Sequence, residues 1–238
     1  MDDLFDDLDP LTTDKPSNDA RISTLIEPFY SAEMARVREV AARLHASQTR
    51  KSTAIPYLSH LLGTCAIAIE YGATQEEAIG ALLHDVIEDV EPVDIARAAV
   101  RSFGTAVEQI VEGCSDAVAG EKPPWVTRKS DYIAELAHET NPSMLLVSAS
   151  DKLHNARTIV ADGHRSGADV WCRFNADRDC VLWYYESLVL VFESNGHSHK
   201  ALTAELSRTV AEMRRLPFDT DCPEAQISGC PEPRVVMP

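Results

Sequence analysis

Residues 82–89 read Leu-Leu-His-Asp-Val-Ile-Glu-Asp, which places an adjacent imidazole and carboxylate inside an apolar helical pattern. Apolar residues at helical spacing flank this stretch, so we predict one helix over residues 74–90. In such a helix His84 and Glu88 lie one turn apart. The same pattern is typical of a solvated acidic face with one exposed histidine. The choice between the two interpretations therefore depends on residues elsewhere in the chain.

Helical patterns extend through most of the 238 residues. The chain contains only ten glycines, and strict apolar–polar alternation is rare, so few strands are expected. Two helix starts are well marked, by Thr74 with Glu77 as a capping box and by Asn141 before Pro142. Predicted helices cover about residues 31–47, 74–90, 92–102, 104–117, 173–194 and 199–215. Further helices are predicted to begin near His60, before the pair Arg128-Lys129 and at Asn141. Loops are predicted over residues 120–124 and 161–172.

The pattern predicts a single all-α domain between two tails. Five aspartates lie among residues 2–9, so we expect a mobile acidic tail over residues 1–25. A helical bundle should occupy residues 26–216. Five prolines follow Leu216, and residues 217–238 are expected to form a loose tail.

Charge and cysteine usage exclude several classes of protein. A net charge of −16 argues against general binding to nucleic acid or to anionic lipid, since both require a basic surface. No apolar stretch approaches the roughly 20 residues that cross a membrane, and acids rather than a signal peptide follow Met1. The six cysteines form no CxxC pair, so a zinc–thiolate site is not expected. These features predict a cytoplasmic protein with reduced thiols.

Three predicted helices carry residues that could ligate one metal ion. They are His60, the pair His84-Asp85, and Asp151. Mixed nitrogen and oxygen ligation suits Mn²⁺, Fe²⁺, Co²⁺ or Zn²⁺, and four protein ligands on an octahedral ion leave two positions for water and substrate. Asn155 and Thr158 follow Asp151 on the same helical face, which offers an amide and a hydroxyl beside the site.

The order His60, His84-Asp85, Asp151 resembles that of the HD metal-dependent phosphohydrolases. Local strings narrow the resemblance to the hydrolase domain of the RelA/SpoT alarmone enzymes, over about residues 30–215. No synthetase domain follows, so the chain is similar to the stand-alone small alarmone hydrolases. The strings are Arg50-Lys51-Ser52, Pro56-Tyr57-Leu58-Ser59-His60, His84-Asp85-Val86-Ile87-Glu88-Asp89 and Ser150-Asp151-Lys152-Leu153-His154-Asn155-Ala156-Arg157-Thr158.

The resemblance implies an HD-domain helical bundle that uses Mn²⁺ or another divalent transition metal and removes the 3′-pyrophosphate of ppGpp or ppApp in the stringent response. It assigns His60, His84, Asp85 and Asp151 to the metal. Glu88 and Asp89 match the acids that orient or activate the attacking water. The implied substrate contacts are Arg50 and Lys51 at the base, Asn155 and Thr158 near the ribose and 3′ phosphates, and Lys122, Arg128, Arg178 and Tyr184 at phosphates.

Two rival functions stay open on the sequence alone. The chain could be an HD phosphatase that acts on ordinary nucleotides, or a non-catalytic protein that binds alarmones. A small nucleotide is the expected partner in each case, with no nucleic acid and no membrane. The sequence is compatible with a monomer or a homodimer.

Overall fold

The computed structural model describes residues 31–116, 123–195, 199–218, 227 and 229–231, and there every regular element is a helix. This confirms the all-α prediction. None of the described helices is long and apolar enough to cross a membrane. The helices are α1 (Ala32–Leu44), α2 (Leu58–Glu70), α3 (Gln75–Leu83), α4 (Val86–Asp89), α5 (Val93–Arg101), α6 (Thr105–Cys114), α7 (Trp125–His138), α8 (Pro142–Ser166), a 3₁₀ helix (Gly167–Arg173), α9 (Arg178–Ser194) and α10 (Lys200–Met213).

The predicted helix over residues 74–90 is wrong as a single element. Its start is confirmed, because the Thr74 hydroxyl accepts a hydrogen bond from the Glu77 N–H and the Glu77 carboxylate accepts one from the Thr74 N–H. The helix stops at Leu83, however, and α4 begins only at Val86. Between them the backbone turns at His84 and Asp85, the latter with φ −96° and ψ 0°. The turn keeps the apolar neighbours buried and directs both polar side chains inward.

Helix α8 is the central element of the bundle and packs against α2, α3, α6 and α10. It begins as predicted, with the Asn141 side chain accepting a hydrogen bond from the Ser143 N–H. The predicted loop over residues 161–172 is wrong, since α8 continues to Ser166 and a 3₁₀ helix follows. Gly163 lies inside α8, where an added Cβ would come within 2.6 Å of the Leu216 side chain. Close packing, rather than a turn, requires this glycine.

All of the predicted N-terminal tail, residues 1–25, and most of the C-terminal tail lie outside the described residues. So do residues 120–122 of the predicted loop. Two points of the C-terminal segment are nevertheless fixed. Ile227 forms a parallel bridge with Ala176, and Cys230 is disulfide-bonded to Cys180. The C-terminal segment is therefore attached to the bundle at these two points, and the looseness of the rest of residues 217–238 stays a prediction.

The cysteines also depart from the prediction of reduced thiols. Cys180 and Cys230 are joined, and Cys172 is disulfide-bonded as well. Cys65 and Cys114 are free and buried. Cysteine pairs that are far apart in sequence leave no spacing signal, so the sequence could not reveal the bond between positions 180 and 230.

Candidate metal centre

Two imidazoles and two carboxylates meet where α2, the α3–α4 turn and α8 come together. His60 Nε2 lies 3.1 Å from Asp151 Oδ1 and 3.3 Å from Asp85 Oδ2. His84 Nε2 lies 2.9 Å from Asp85 Oδ2 and 3.5 Å from Asp151 Oδ1. His60, His84 and Asp151 are almost completely buried, which contradicts the alternative of a solvated face with an exposed histidine. The structure thus brings together all four residues that the sequence predicted as ligands.

Both imidazoles are oriented with Nε2 towards the centre. His84 Nδ1 lies 2.8 Å from the Ala81 carbonyl oxygen, so Nδ1 carries the proton and donates it. His84 Nε2 is then a buried lone pair, and it has no hydrogen-bond partner among the described residues. An unsatisfied buried nitrogen facing two carboxylates is the arrangement that a metal ion would complete.

The second imidazole is held by a third histidine. His60 Nδ1 lies 2.9 Å from His154 Nδ1. Burial, and then the neighbouring His60 and Arg50, lower the pKa of His154 to about 4. The ring of His154 is therefore neutral, and its Nδ1 can accept a hydrogen bond from the Nδ1–H group of His60. Gly63 makes this contact possible, because a Cβ there would lie 2.2 Å from the His154 ring. His154 was not among the residues that we predicted, although it shares a helix with Asp151.

The two carboxylates are also anchored. The Tyr57 hydroxyl donates a hydrogen bond to Asp85 Oδ2 at 2.6 Å. The Lys152 ammonium and the Asn155 amide each donate to Asp151 at 2.6 Å. Burial alone would raise the pKa of Asp151, yet the Lys152 ammonium holds it well below its usual range. Both groups are therefore ready-made anionic ligands.

Glu88 lies next to the centre but takes part in a different set of contacts. Its Oε1 accepts a hydrogen bond from the Asp116 N–H at 2.8 Å. Burial, with the charges of Asp116 and Asp85, raises the pKa of Glu88 to about 7. Asp89 is exposed and accepts a hydrogen bond from the Gln48 amide at 2.8 Å. Glu88 therefore has a pKa suited to proton transfer near neutrality.

This raised pKa predicts a pH-dependent cost to folding. Above about pH 7 the folded chain carries a charged Glu88 in a poorly solvated place, whereas below the ordinary pKa of 4.5 it carries none. Glu88→Gln stays neutral and can still accept from the Asp116 N–H. We expect the metal-free variant to have a free energy of unfolding about 1–3 kcal/mol higher than the unsubstituted protein at pH 8.

Urea denaturation in EDTA at pH 8 and at pH 4.5 measures this difference, which should nearly vanish at the lower pH. Glu112→Gln, which neutralises an exposed acid on α6, is the matched control and should change little at either pH. An equal gain for Glu88→Gln at both values would contradict the assignment of the cost to ionisation.

A cavity of about 490 Å³ opens beside the centre. Five predicted substrate contacts line it: Arg50, Lys51, Asn155, Thr158 and Tyr184. Arg50 Nη2 donates to Asn155 Oδ1 at 2.6 Å, and this links the two predicted binding motifs. Four further basic residues of the wall were not predicted as substrate contacts: Lys129, Lys152, His154 and Arg173. Asp162 also lines the wall, but the cations outnumber the acids there, so the cavity is locally cationic in a chain of net charge −16.

Three predicted phosphate contacts are not part of this wall. Arg128 pairs with Asp116. Arg178 packs over the Phe218 ring, 4.3 Å from its centroid, and donates to the Arg214 carbonyl at 2.8 Å. Lys122 lies outside the described residues.

The helical fold and the four converging side chains define a class of protein, and comparison with known protein families identifies that class. The chain matches the HD domain over residues 37–182 and belongs to that family.

Curated relatives lie among the alarmone enzymes. The chain is 31% identical over 155 residues to a GTP pyrophosphokinase of Streptomyces coelicolor, covering 64% of this chain and 17% of that protein. It is also 31% identical over 137 residues to a guanosine-3′,5′-bis(diphosphate) 3′-pyrophosphohydrolase of Aquifex aeolicus, covering 56% and 18%. The chain thus spans less than a fifth of the length of these relatives.

Two solved structures share the fold. One is described as a metazoan ortholog of SpoT that hydrolyses ppGpp; it has a TM-score of 0.61 and 23% identity, covering 78% of this chain and 98% of that one. The other is lmo0812 from Listeria monocytogenes, with a TM-score of 0.55 and 24% identity, covering 63% and 96%.

Proposed function

We propose that the chain is a metal-dependent phosphohydrolase that removes the 3′-pyrophosphate of alarmone nucleotides, ppGpp, ppApp or both. The observation that carries this proposal is the convergence of His60, His84, Asp85 and Asp151 at the edge of a cationic cavity. The names of the Aquifex relative and of the metazoan structure support the same reaction. The products would be pyrophosphate and the nucleoside 5′-diphosphate, because the two phosphates on the 5′ side are not cleaved.

For the metal we propose Mn²⁺, with another divalent transition ion as the alternative. His60 and His84 would ligate through Nε2, and Asp85 and Asp151 through the oxygens that face them. A bound ion of this kind lowers the pKa of its water and polarises the phosphoryl oxygen. The anchoring contacts of Tyr57 and His154 hold the ligands in place before the ion binds.

Within this reaction we assign proton transfer to Glu88. With a pKa of about 7, its carboxylate is substantially deprotonated at neutral pH and can accept a proton from the attacking water. Asp89 is proposed to orient that water. The remaining requirement of phosphoryl transfer is the neutralisation and alignment of charge, which the cations of the cavity can supply.

Substrate recognition is assigned to the far wall of the cavity. We propose that Arg50 and Lys51 lie against the base and that Asn155 and Thr158 contact the ribose and 3′ phosphates. Lys129 and Arg173 line the cavity, whereas Arg128 and Arg178 do not. We therefore propose Lys129 and Arg173 as the phosphate contacts in place of the other two.

A direct assay separates this function from its rivals. The purified chain is incubated with Mn²⁺ and, in turn, ppGpp, ppApp and simple nucleotides, and the released pyrophosphate and phosphate are quantified separately. Pyrophosphate from an alarmone is the expected result. Phosphate alone would indicate an HD phosphatase acting on ordinary nucleotides, and saturable alarmone binding without turnover would indicate a non-catalytic binding protein.

Arg50→Ala tests the substrate assignment. The variant removes a half-buried guanidinium that bonds to Asn155 and lies 5.8 Å from the Tyr57 ring centroid. We expect KM for the alarmone to rise about tenfold, with kcat changed less than about threefold, because the contact is made away from the reacting phosphorus. Steady-state kinetics measure both constants. Arg38→Ala, which removes an exposed arginine of α1, should leave them unchanged, and an unaltered KM in Arg50→Ala would refute the assignment.

The remaining expectations from the sequence stay predictions. We keep the domain bounds at residues 26–216 and a monomer or homodimer without nucleic-acid partners. A cytoplasmic location also stays a prediction, although its redox basis does not hold for Cys180 and Cys230.

A further inference from the structure

The fixed part of the C-terminal segment contacts the loop that precedes α9. The Ile227 N–H donates to the Asn175 carbonyl at 3.1 Å, and the Ile227 carbonyl accepts from the Asp177 N–H at 2.8 Å. Three residues further on, Cys230 is bonded to Cys180 in the first turn of α9. Among the residues that the structure describes, two hydrogen bonds and one covalent bond therefore attach the segment to one short stretch of chain. We call Ile227 and Cys230, with these contacts, the C-terminal strap.

The loop held by this strap reaches the substrate cavity. The side-chain oxygen of Asn175 accepts a hydrogen bond from the Lys51 ammonium at 2.8 Å. Lys51 lines the cavity, and so does Phe174, the residue before Asn175. Asn175 is thus bound on its backbone by the strap and on its side chain by a cation of the binding wall.

We propose that the C-terminal strap is a thiol-reversible positioning element, which holds Asn175 and through it fixes Lys51 at the nucleotide end of the cavity. The consequence for substrate affinity rests on the proposed function, whereas the effect on Lys51 itself does not. Two backbone hydrogen bonds at the surface contribute little net stability, so the disulfide carries most of the attachment. It joins positions that are 50 residues apart in sequence, so detaching the strap requires that this covalent bond be broken.

The switching step is ordinary thiol–disulfide exchange with a dithiol reductant. One thiolate attacks the sulfur of half-buried Cys230 and forms a mixed disulfide, while Cys180 leaves as a thiolate and takes up a proton. The second thiol of the reductant then displaces Cys230. The reductant ends as a disulfide, and Cys180 and Cys230 become thiols with two added hydrogens. Because the reductant also acts on the disulfide of Cys172, the variant Cys180→Ser/Cys230→Ser isolates the effect of the Cys180–Cys230 bond.

The first test measures the reactivity of Lys51 without any substrate. Oxidised protein, dithiothreitol-reduced protein, Cys180→Ser/Cys230→Ser and Asn175→Ala are labelled briefly with an amine-reactive ester, and peptides are quantified by mass spectrometry. Labelling of Lys51 should rise about threefold to tenfold in the last three samples, as expected for loss of one charged hydrogen bond. Exposed Lys200 on α10 is the internal reference and should not change.

Asn175→Ala also tests the route of the coupling. Its Lys51 labelling should be insensitive to dithiothreitol, because the link between strap and lysine is already cut. If the double cysteine variant does not fold, reduced protein and Asn175→Ala still complete the comparison. Equal Lys51 labelling in all samples would overturn the proposal, as would alkylation of both Cys180 and Cys230 without reductant.

The second test is kinetic. Reduction, the double cysteine variant and Asn175→Ala should each raise KM for the alarmone about threefold to tenfold, with kcat within about twofold of the oxidised protein. A loss confined to kcat would overturn the positioning role. Should no sample release pyrophosphate, the proposed function fails, and the labelling experiment still decides the strap.

Discussion

Replacing Asp151 by asparagine is expected to abolish stoichiometric metal binding and to lower activity at least about 100-fold. The substitution keeps the shape of a side chain whose Oδ1 lies 3.1 Å from His60 Nε2 and 3.5 Å from His84 Nε2. It removes the negative charge that faces both imidazoles and leaves the Lys152 ammonium without its carboxylate partner. Metal affinity and turnover should therefore fall together.

Metal content after desalting, titration of Mn²⁺ by calorimetry and steady-state kinetics check this result. Asp131→Asn, which neutralises an exposed acid on α7, is the matched control and should retain both properties. Because Asp151 is buried, circular dichroism must show that the variant is folded. A folded Asp151→Asn protein with one tightly bound Mn²⁺ would contradict the ligand assignment.

Replacing Glu88 by glutamine should lower kcat about 10²- to 10⁴-fold while metal affinity stays close to that of the unsubstituted protein. Glutamine preserves the acceptor for the Asp116 N–H but cannot take a proton from water. The loss should appear in kcat rather than in KM, since the lost interaction belongs to the transition state.

The pH–rate profile gives a second measurement of the same role. Activity of the unsubstituted protein should fall as pH drops below the pKa of Glu88, and this acidic limb should disappear in the residual activity of Glu88→Gln. Glu112→Gln serves again as control and should keep the limb. Unchanged turnover in Glu88→Gln would remove Glu88 from the mechanism and leave Asp89 as the remaining candidate.

The sequence predicted the convergence of His60, His84-Asp85 and Asp151 better than it predicted the path of the chain. Each of these residues belongs to a local pattern, and the turn at His84-Asp85 strengthens their convergence. That turn itself could not be foreseen, because apolar residues keep helical spacing across it. Similarly, the predicted loop over residues 161–172 begins in what is the last part of α8, where Gly163 admits the Leu216 side chain against the helix.

The contacts around the centre escaped prediction for a different reason. Tyr57 and His154 act on ligands that come from other helices, and only the folded chain shows these pairings. Arg178 was predicted to lie at the substrate, but its side chain packs over Phe218 instead. The sequence shows that a cationic residue lies near the start of a helix, but it does not show whether its side chain faces the cavity or packs elsewhere.

The near contact between Gly63 and His154 limits how this protein could be redesigned. At this crossing α2 and α8 are so close that even one methyl group at position 63 would have to displace the imidazole. A larger side chain at 63 is therefore admissible only together with a smaller one at 154. Anyone who grafts this pair of helices onto another scaffold must transfer the two positions as a unit.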